Sequence, residues 1–418
     1  MANNSDAGAP PPLTTDSQLQ VGIEIEFVAP PDTAWDAAHL RGLDRRDRTS
    51  LSQDACLHRL AGSLHAAGLP ACYQITTTPL QCPRRNPLRD ATPPDAVVVL
   101  AGGLTKCPPY RRWIACELNS PILSEADVFT TGLPPLGAAL TALHGADISG
   151  PPHISLCYCG LHVHLSPDVP GGCTVAYAQR LLTLALLLDQ PLLQPLCDPP
   201  RFGSLRPFPY SAMFGADFVP RASSSRRRQR SSLLFSSRAR AHLPSSFAAA
   251  EARVLALIWR DDATWDDLRQ VLEHRRPGAD PLSVAPVLCK HMPALGGGGR
   301  ANTTVEFRHA QTSFSHRFVR EWTRLVLAIG RVALLPVDDY RRALTSMWEA
   351  AGRGQGRGEG VSMAVLRELS DAAEEAGMPG GGLDLAYWTI RYAEMRTFRN
   401  PDIDQESKAV LDEDGLIV

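Results

Sequence analysis

The 418-residue chain has no uninterrupted apolar run approaching the roughly 18 to 20 residues that a membrane-spanning helix needs. Its first twenty residues, Met1 to Gln20, are polar and proline-rich and lack the apolar segment of a secretory signal. These two absences predict a cytoplasmic protein with no membrane partner. No Gly-x4-Gly-Lys-Ser/Thr sequence occurs, which excludes a standard P-loop. The ten cysteines include no Cys-x2-Cys pair, only the Cys-x-Cys of Cys157 and Cys159, so small buried thiols are expected rather than a disulfide framework. Charge imbalance is missing too: 42 basic and 44 acidic residues leave a formal charge of -2. That balance removes the electrostatic case for nucleic acid and leaves small-molecule chemistry as the default. No internal repeat is present.

A hydrophobic content of 44% is enough for a large core, arranged as one elaborated domain or one domain with a helical appendage. Residues 1–18, with Pro10, Pro11 and Pro12, offer nothing to bury and read as a disordered tail. A strand is expected from Gln20 to Val28. Ser52 can cap a helix reaching Ala67, with Leu57, Leu60 and Leu64 on one stripe, before Gly68 and Pro70 stop it. Thr78 to Pro94 reads as a proline-rich loop. Further strands are expected at Asp95–Leu100, Trp113–Ser120, Gly160–Ser166 and Thr303–His309. Thr174 to Leu196 reads as a long buried helix broken near Pro191. Residues 221–240, rich in arginine and serine, are expected to be a mobile loop, either a solvated insert or a cover over phosphates. Helices are expected from Thr264, with Leu268, Val271 and Leu272 inward, and from Ser315, with Phe318, Trp322, Leu325 and Ile329 on one stripe. Gly352 to Gly360 reads as a flexible link before helical patterns at Ser362–Ala376 and Asp384–Thr397. Polar strands between helices point to an α+β fold. Trp259, Trp265, Trp322 and Trp388 are expected in the core. His309 and His316 are read as structural, and Asp189 as a local hydrogen-bond or ion-pair partner.

Side chains alternate along a strand, so Glu24 and Glu26 share the face opposite Ile23, Ile25 and Phe27, about 7 Å apart. By the same rule His162 and His164 lie together opposite Leu161, Val163 and Leu165, and Glu117 opposite Cys116 and Leu118. Glu306 and Arg308 lie together opposite Val305 and Phe307. Any one of these strands is explained by an antiparallel sheet with one wet face. Their polar residues are nonetheless carboxylates, imidazoles and one arginine, with none of the Lys, Thr and Gln common on solvent faces. Such a set pooled on one sheet repels itself without a cation. Glutamate oxygens with imidazole, and positions left for phosphate, suit Mg²⁺ or Mn²⁺ better than a thiolate-closed zinc site. Arg308 is placed to reach an anion, and the whole reads as a site for phosphoryl transfer that could activate a carboxylate as an acyl phosphate.

Gly22-Ile23-Glu24-Ile25-Glu26-Phe27, Glu117-Leu118-Asn119-Ser120-Pro121-Ile122-Leu123, Gly160-Leu161-His162-Val163-His164 and Thr304-Val305-Glu306-Phe307-Arg308-His309 resemble, in order, the motifs of the amidoligase family of fungal type. That family is similar to glutamate-cysteine ligase and glutamine synthetase. The resemblance spans about residues 20–335 and implies a glutamine synthetase-like catalytic antiparallel sheet with helices on its outer face. On this reading residues 19–335 are the catalytic domain and 336–418 a C-terminal helical extension. It further implies ATP, two or more Mg²⁺ ions and ligation of a small carboxylate to an amine through an acyl phosphate. Carried over by motif, Glu24, His162 and Glu306 would hold the phosphate-side metal, Glu26 and Glu117 the substrate-side metal, and Arg308 would contact phosphate. His164 would support those ligands or touch the nucleotide. A phosphotransferase acting on a guanidino acceptor and a catalytically inactive binding module are the two competing expectations.

Overall fold

The computed structural model describes residues 13–30, 41, 45–74, 97–101, 113–145, 152, 159–197, 236–273, 287–292, 302–353, 359–380 and 382–397. Thr78 to Pro94, the glycines at 296–299 and residues 354–358 lie outside that set, as do 1–12 and most of the arginine-rich 221–240 segment.

Among the described residues, eight strands form one open sheet: β1 (Leu19–Ala29), β2 (Ala71–Gln74), β3 (Val97–Ala101), β4 (Ile114–Asn119), β5 (Leu123–Ser124), β6 (Leu161–Pro167), β7 (Val287–Met292) and β8 (Asn302–Phe307). Their order is β2-β3-β4-β1-β6-β8-β7, with β5 paired to the start of β1. Every pairing is antiparallel except β2 with β3. The helices are α1 (Arg45–Ala66), α2 (Pro134–His144), α3 (Val175–Leu188), α4 (Ser237–His242), α5 (Ser245–Ala250), α6 (Ala252–Ile258), α7 (Trp265–Glu273), α8 (His316–Val332), α9 (Val337–Arg353), α10 (Glu359–Glu375) and α11 (Leu385–Thr397). The expected α+β class is what forms, and no helix among the described residues is long and apolar enough to cross a membrane.

β1 is the central strand because its alternation is nearly strict. Leu19, Val21, Ile23, Ile25 and Phe27 are buried while Gln20, Gly22, Glu24 and Glu26 are half-buried on the opposite side. Register extends the apolar set across the sheet, pairing Ile23 with Val163, Ile25 with Leu161 and Leu118, and Val163 with Phe307. Helices cover this side: α1 packs against β2, β3 and β4, and α8 against β1 and β6. Each fully buried aliphatic or aromatic side chain here contributes about 1.5–3 kcal/mol. Gly330 on α8 permits the close approach, since a Cβ there would lie 2.6 Å from Leu165 Cδ2.

The α8 stripe of Phe318, Trp322, Leu325 and Ile329 is buried as its spacing predicts. Burial continues around the helix to Glu321, Leu327 and Arg331, because α10 and α11 pack on its far side and Trp388 meets Trp322 edge-on at 6.2 Å. The helices after residue 335 therefore share one hydrophobic core with the sheet. Trp259 is buried as well, and Trp265 packs partly buried against that core.

Several boundaries differ from the sequence reading, each for a local reason. Residues 13–18 are not tail: they form a turn whose Thr15 carbonyl accepts a hydrogen bond from Arg331 Nη1 at 2.6 Å. Arg331 is itself ion-paired to buried Glu125, which also accepts from the Leu19 amide. α1 starts at Arg45, so Ser52 lies inside it rather than at its cap. Residues 237–240 of the expected loop are helical, because Ser236 Oγ accepts from the Ala239 amide and Ala239 is buried. The helix from Val175 gives way after Leu188 to a wide π-turn at Asp189–Leu193 containing Pro191, close to the expected break. Asp189 there is buried and pairs with the local Gln194 Nε2 at 2.9 Å, and also with His309 Nε2 at 3.2 Å from 120 residues away. The six described cysteines, Cys56, Cys116, Cys159, Cys173, Cys197 and Cys289, are buried free thiols.

Candidate functional site

Antiparallel partners share a face, so register alone assembles the polar side of the sheet. Glu24 stands opposite His162 on one flank and Asn119 on the other, and Glu26 stands opposite Glu117. His164 stands opposite Glu306 and, on its other side, Gly22. All seven sequence-predicted residues are thereby brought together at the centre of the sheet. The face is far from wet: His162 is 1% exposed and Glu306 0%.

The contacts are dense. His162 Nδ1 lies 3.2 Å from Glu24 Oε2 and 3.4 Å from Glu306 Oε1, and His162 Nε2 lies 3.5 Å from Glu26 Oε2. His164 Nε2 lies 2.9 Å from Glu24 Oε1 and 3.9 Å from Glu306 Oε1, while its Nδ1 meets Thr304 Oγ1 at 3.1 Å. Arg308, just beyond the end of β8, donates from Nη1 to Glu306 Oε1 at 2.5 Å and sits 3.3 Å from His162 Nδ1. One ring nitrogen cannot donate to Glu24 and accept from Arg308 at once, so His162 has two exclusive hydrogen-bonding states. The Gly160 amide donates to Glu26 Oε2 at 2.7 Å, and Asn119 Nδ2 to Glu117 Oε1 at 2.9 Å.

The three donors that close into a group are Glu24, His164 and Glu306, each offering one atom within 4.8 Å of the others. Sequence alternation cannot say which histidine joins Glu306, and the motif carry-over names His162. In the fold, register sets His164 directly across from Glu306, while His162 lies between Glu24 and Arg308. Among the described residues, His164 Nε2 and Glu306 Oε2 make no directed hydrogen bond despite their burial, which is costly for polar atoms unless a further partner arrives. A carboxylate, imidazole, carboxylate set with an unsatisfied nitrogen and oxygen fits a divalent cation.

Electrostatics carry the same pattern. Burial opposes the charge of Glu24, yet the hydrogen bond with His162, the close contact of His164 and the charges of both rings hold its carboxyl well below the ordinary range. Burial opposes ionisation of Glu306 too, and the charges of Arg308, His164, His162 and Lys290 bring it below its ordinary value. Burial, followed by the charge of Glu24, pushes Glu117 up to about 7. Burial depresses His162, whereas for His164 the neighbouring Glu24 and Glu306 overcome burial and raise it.

Two residues escape the sequence reading. β7 is not anticipated, and it sets Lys290 opposite Thr304 with Nζ 3.2 Å from Glu306 Oε2. Thr304 on the same face supports His164. The polar face thus does contain a lysine and a threonine, contrary to the composition expected for it. The available signal was Lys290 within Val287–Met292, obscured because Leu288 on the polar face is buried and spoils the alternation. No protein-family model matches the chain, and no curated protein matches it in sequence.

Proposed function

We propose that the chain is an ATP-dependent amide ligase that activates a small carboxylate as an acyl phosphate and passes it to an amine. One observation carries this reading: a group of Glu24, His164 and Glu306 able to hold a cation, flanked by the positive Arg308 and Lys290, on the buried face of an antiparallel sheet. The order of the four motifs, and their resemblance to the amidoligase and glutamine synthetase-like catalytic sheet, supply the acid, the amine and the nucleotide.

Mg²⁺ or Mn²⁺ held by Glu24, His164 and Glu306 would offset charge on phosphate oxygens during transfer. The other roles belong to the chain itself. Arg308 presents a guanidinium beside Glu306, where it can steady the negative charge that develops on a transferred phosphoryl group. Burial of His162, His164 and Glu306 keeps water from an acyl phosphate and strengthens each charge interaction. Glu26, pinned by the Gly160 amide, and Glu117, steadied by Asn119, define the opposite edge of the face, where an amine would approach.

The test is ADP release by the purified chain with ATP, Mg²⁺ and mixed amino acids, with products identified by mass spectrometry. Glu24→Ala and Glu306→Ala should each lower the rate by at least about a hundredfold. Release unchanged in both variants would place the chemistry elsewhere, and a stable phosphorylated product without an amide would make the protein a phosphotransferase.

A further inference from the structure

Glu306 is fully buried and flanked by two positive side chains, Arg308 on Oε1 and Lys290 against Oε2. The two are held differently. Arg308 also lies beside His162 and is 20% exposed, while Lys290 stands on the edge strand β7 with its side chain 39% exposed. The Lys290 contact lacks hydrogen-bond geometry, since Glu306 Oε2 accepts no directed bond among the described residues. It is an electrostatic hold on a flexible, partly exposed side chain.

A divalent cation on Glu306 weakens the hold of Lys290 on the same carboxylate, because like charges about 4 Å apart repel strongly in a partly buried site. Resting on the metal-dependent reading above, we infer that Lys290 is a phosphate-binding residue. It neutralises Glu306 while no cation is present, and moves to an oxygen of a phosphate chain when a cation takes Glu306. The exchange keeps the buried carboxylate compensated in both states and makes the incoming phosphate complete the charge balance that the cation disturbs. Lysine is scarce in this chain, with Lys106 and Lys408 the others among 42 basic residues, so position 290 is not one more surface charge of the prevailing kind.

The experiment is calorimetric titration of the full chain with Mn²⁺ alone, then with tripolyphosphate and with ATP at saturating Mn²⁺. Lys290→Met should bind Mn²⁺ at least as tightly as the unmodified chain, since the competitor for Glu306 is gone. The same variant should bind both anions about 10- to 100-fold more weakly, the loss of a charge-assisted hydrogen bond. Lys290→Arg should restore most of the anion affinity. Parallel loss of Mn²⁺ and anion affinity in Lys290→Met would mean a structural role and overturn the inference, as would unchanged anion affinity. Weakened ATP with unchanged tripolyphosphate would put Lys290 on the nucleoside and overturn it too. No Mn²⁺ binding by the unmodified chain would instead refute the metal-dependent reading itself, and the inference with it.

Discussion

Glu117 lets the electrostatic load on the sheet be measured as stability. Its carboxyl rises from the ordinary 4.5 to about 7, chiefly by burial and then by the charge of Glu24. The folded protein keeps a proton there that the unfolded chain gives up, so stability falls as pH climbs between those two values. At about 1.4 kcal/mol per pH unit, the penalty reaches about 3 kcal/mol near pH 8 and about 1 kcal/mol near pH 5. Both are upper figures, because water reaching the half-buried carboxyl relieves part of the cost. Glu117→Gln removes the charge and keeps an oxygen for the Asn119 amide that now donates to Glu117 Oε1. With EDTA present, urea denaturation should show the variant more stable than the unmodified chain, by about 2 kcal/mol more near pH 8 than near pH 5. An equal difference at both pH values, or a smaller one at the higher, would refute the argument that desolvation and the Glu24 charge govern this carboxyl. Replacing EDTA by Mn²⁺ should shrink the advantage, since a cation on the face compensates the carboxylates that the Gln variant no longer adds to.

Two further outcomes follow from how the face is held. Arg331→Met leaves Glu125 buried without its ion partner and frees the turn at Thr15, so unfolding by urea should register a loss of about 3 kcal/mol. A loss under about 1 kcal/mol would mean that the N-terminal turn and β1 do not depend on that pair. Gly172 has φ 72° and would place a Cβ 2.4 Å from the Thr303 carbonyl oxygen, backbone that cannot swing aside. Gly172→Ala should therefore cost about 2 kcal/mol or more in thermal unfolding. It should also weaken Mn²⁺ binding, because Thr303 lies in the strand that carries Glu306.

What could be read in advance depended on alternation and failed where alternation is broken by long-range packing. β1, β4, β6 and β8 are legible because one side of each is continuously apolar, as with Ile23, Ile25 and Phe27, and a one-residue slip would expose the whole set. α8 is legible for the corresponding reason at helical spacing, whereas its buried Glu321 and Arg331 are not, since α10 and the Glu125 partner arrive from distant segments. β7 is illegible because Leu288 is buried on the face shared with Lys290, so the run Val287-Leu288-Cys289 has no period. The same limit governs the site. Alternation places His162 and His164 on one face but is silent on which of them stands directly across from Glu306. That is decided by the stagger of β6 against β8, a property of two strands separated by more than a hundred residues.

Stagger also explains why the face tolerates so much like charge. β1 carries Glu24 and Glu26 only because its other side buries Leu19, Val21, Ile23, Ile25 and Phe27 against helices, at about 1.5–3 kcal/mol per side chain. That apolar side fixes the register, and the register forces the carboxylates together whether or not they repel. The repulsion is then met locally, by His162 and His164 between the glutamates and by Arg308 and Lys290 on Glu306. These four side chains are the positive or proton-bearing groups that stand against the buried carboxylates. The core of this protein thus maintains an arrangement of carboxylates that repulsion alone would disperse, and the four paired side chains keep it together.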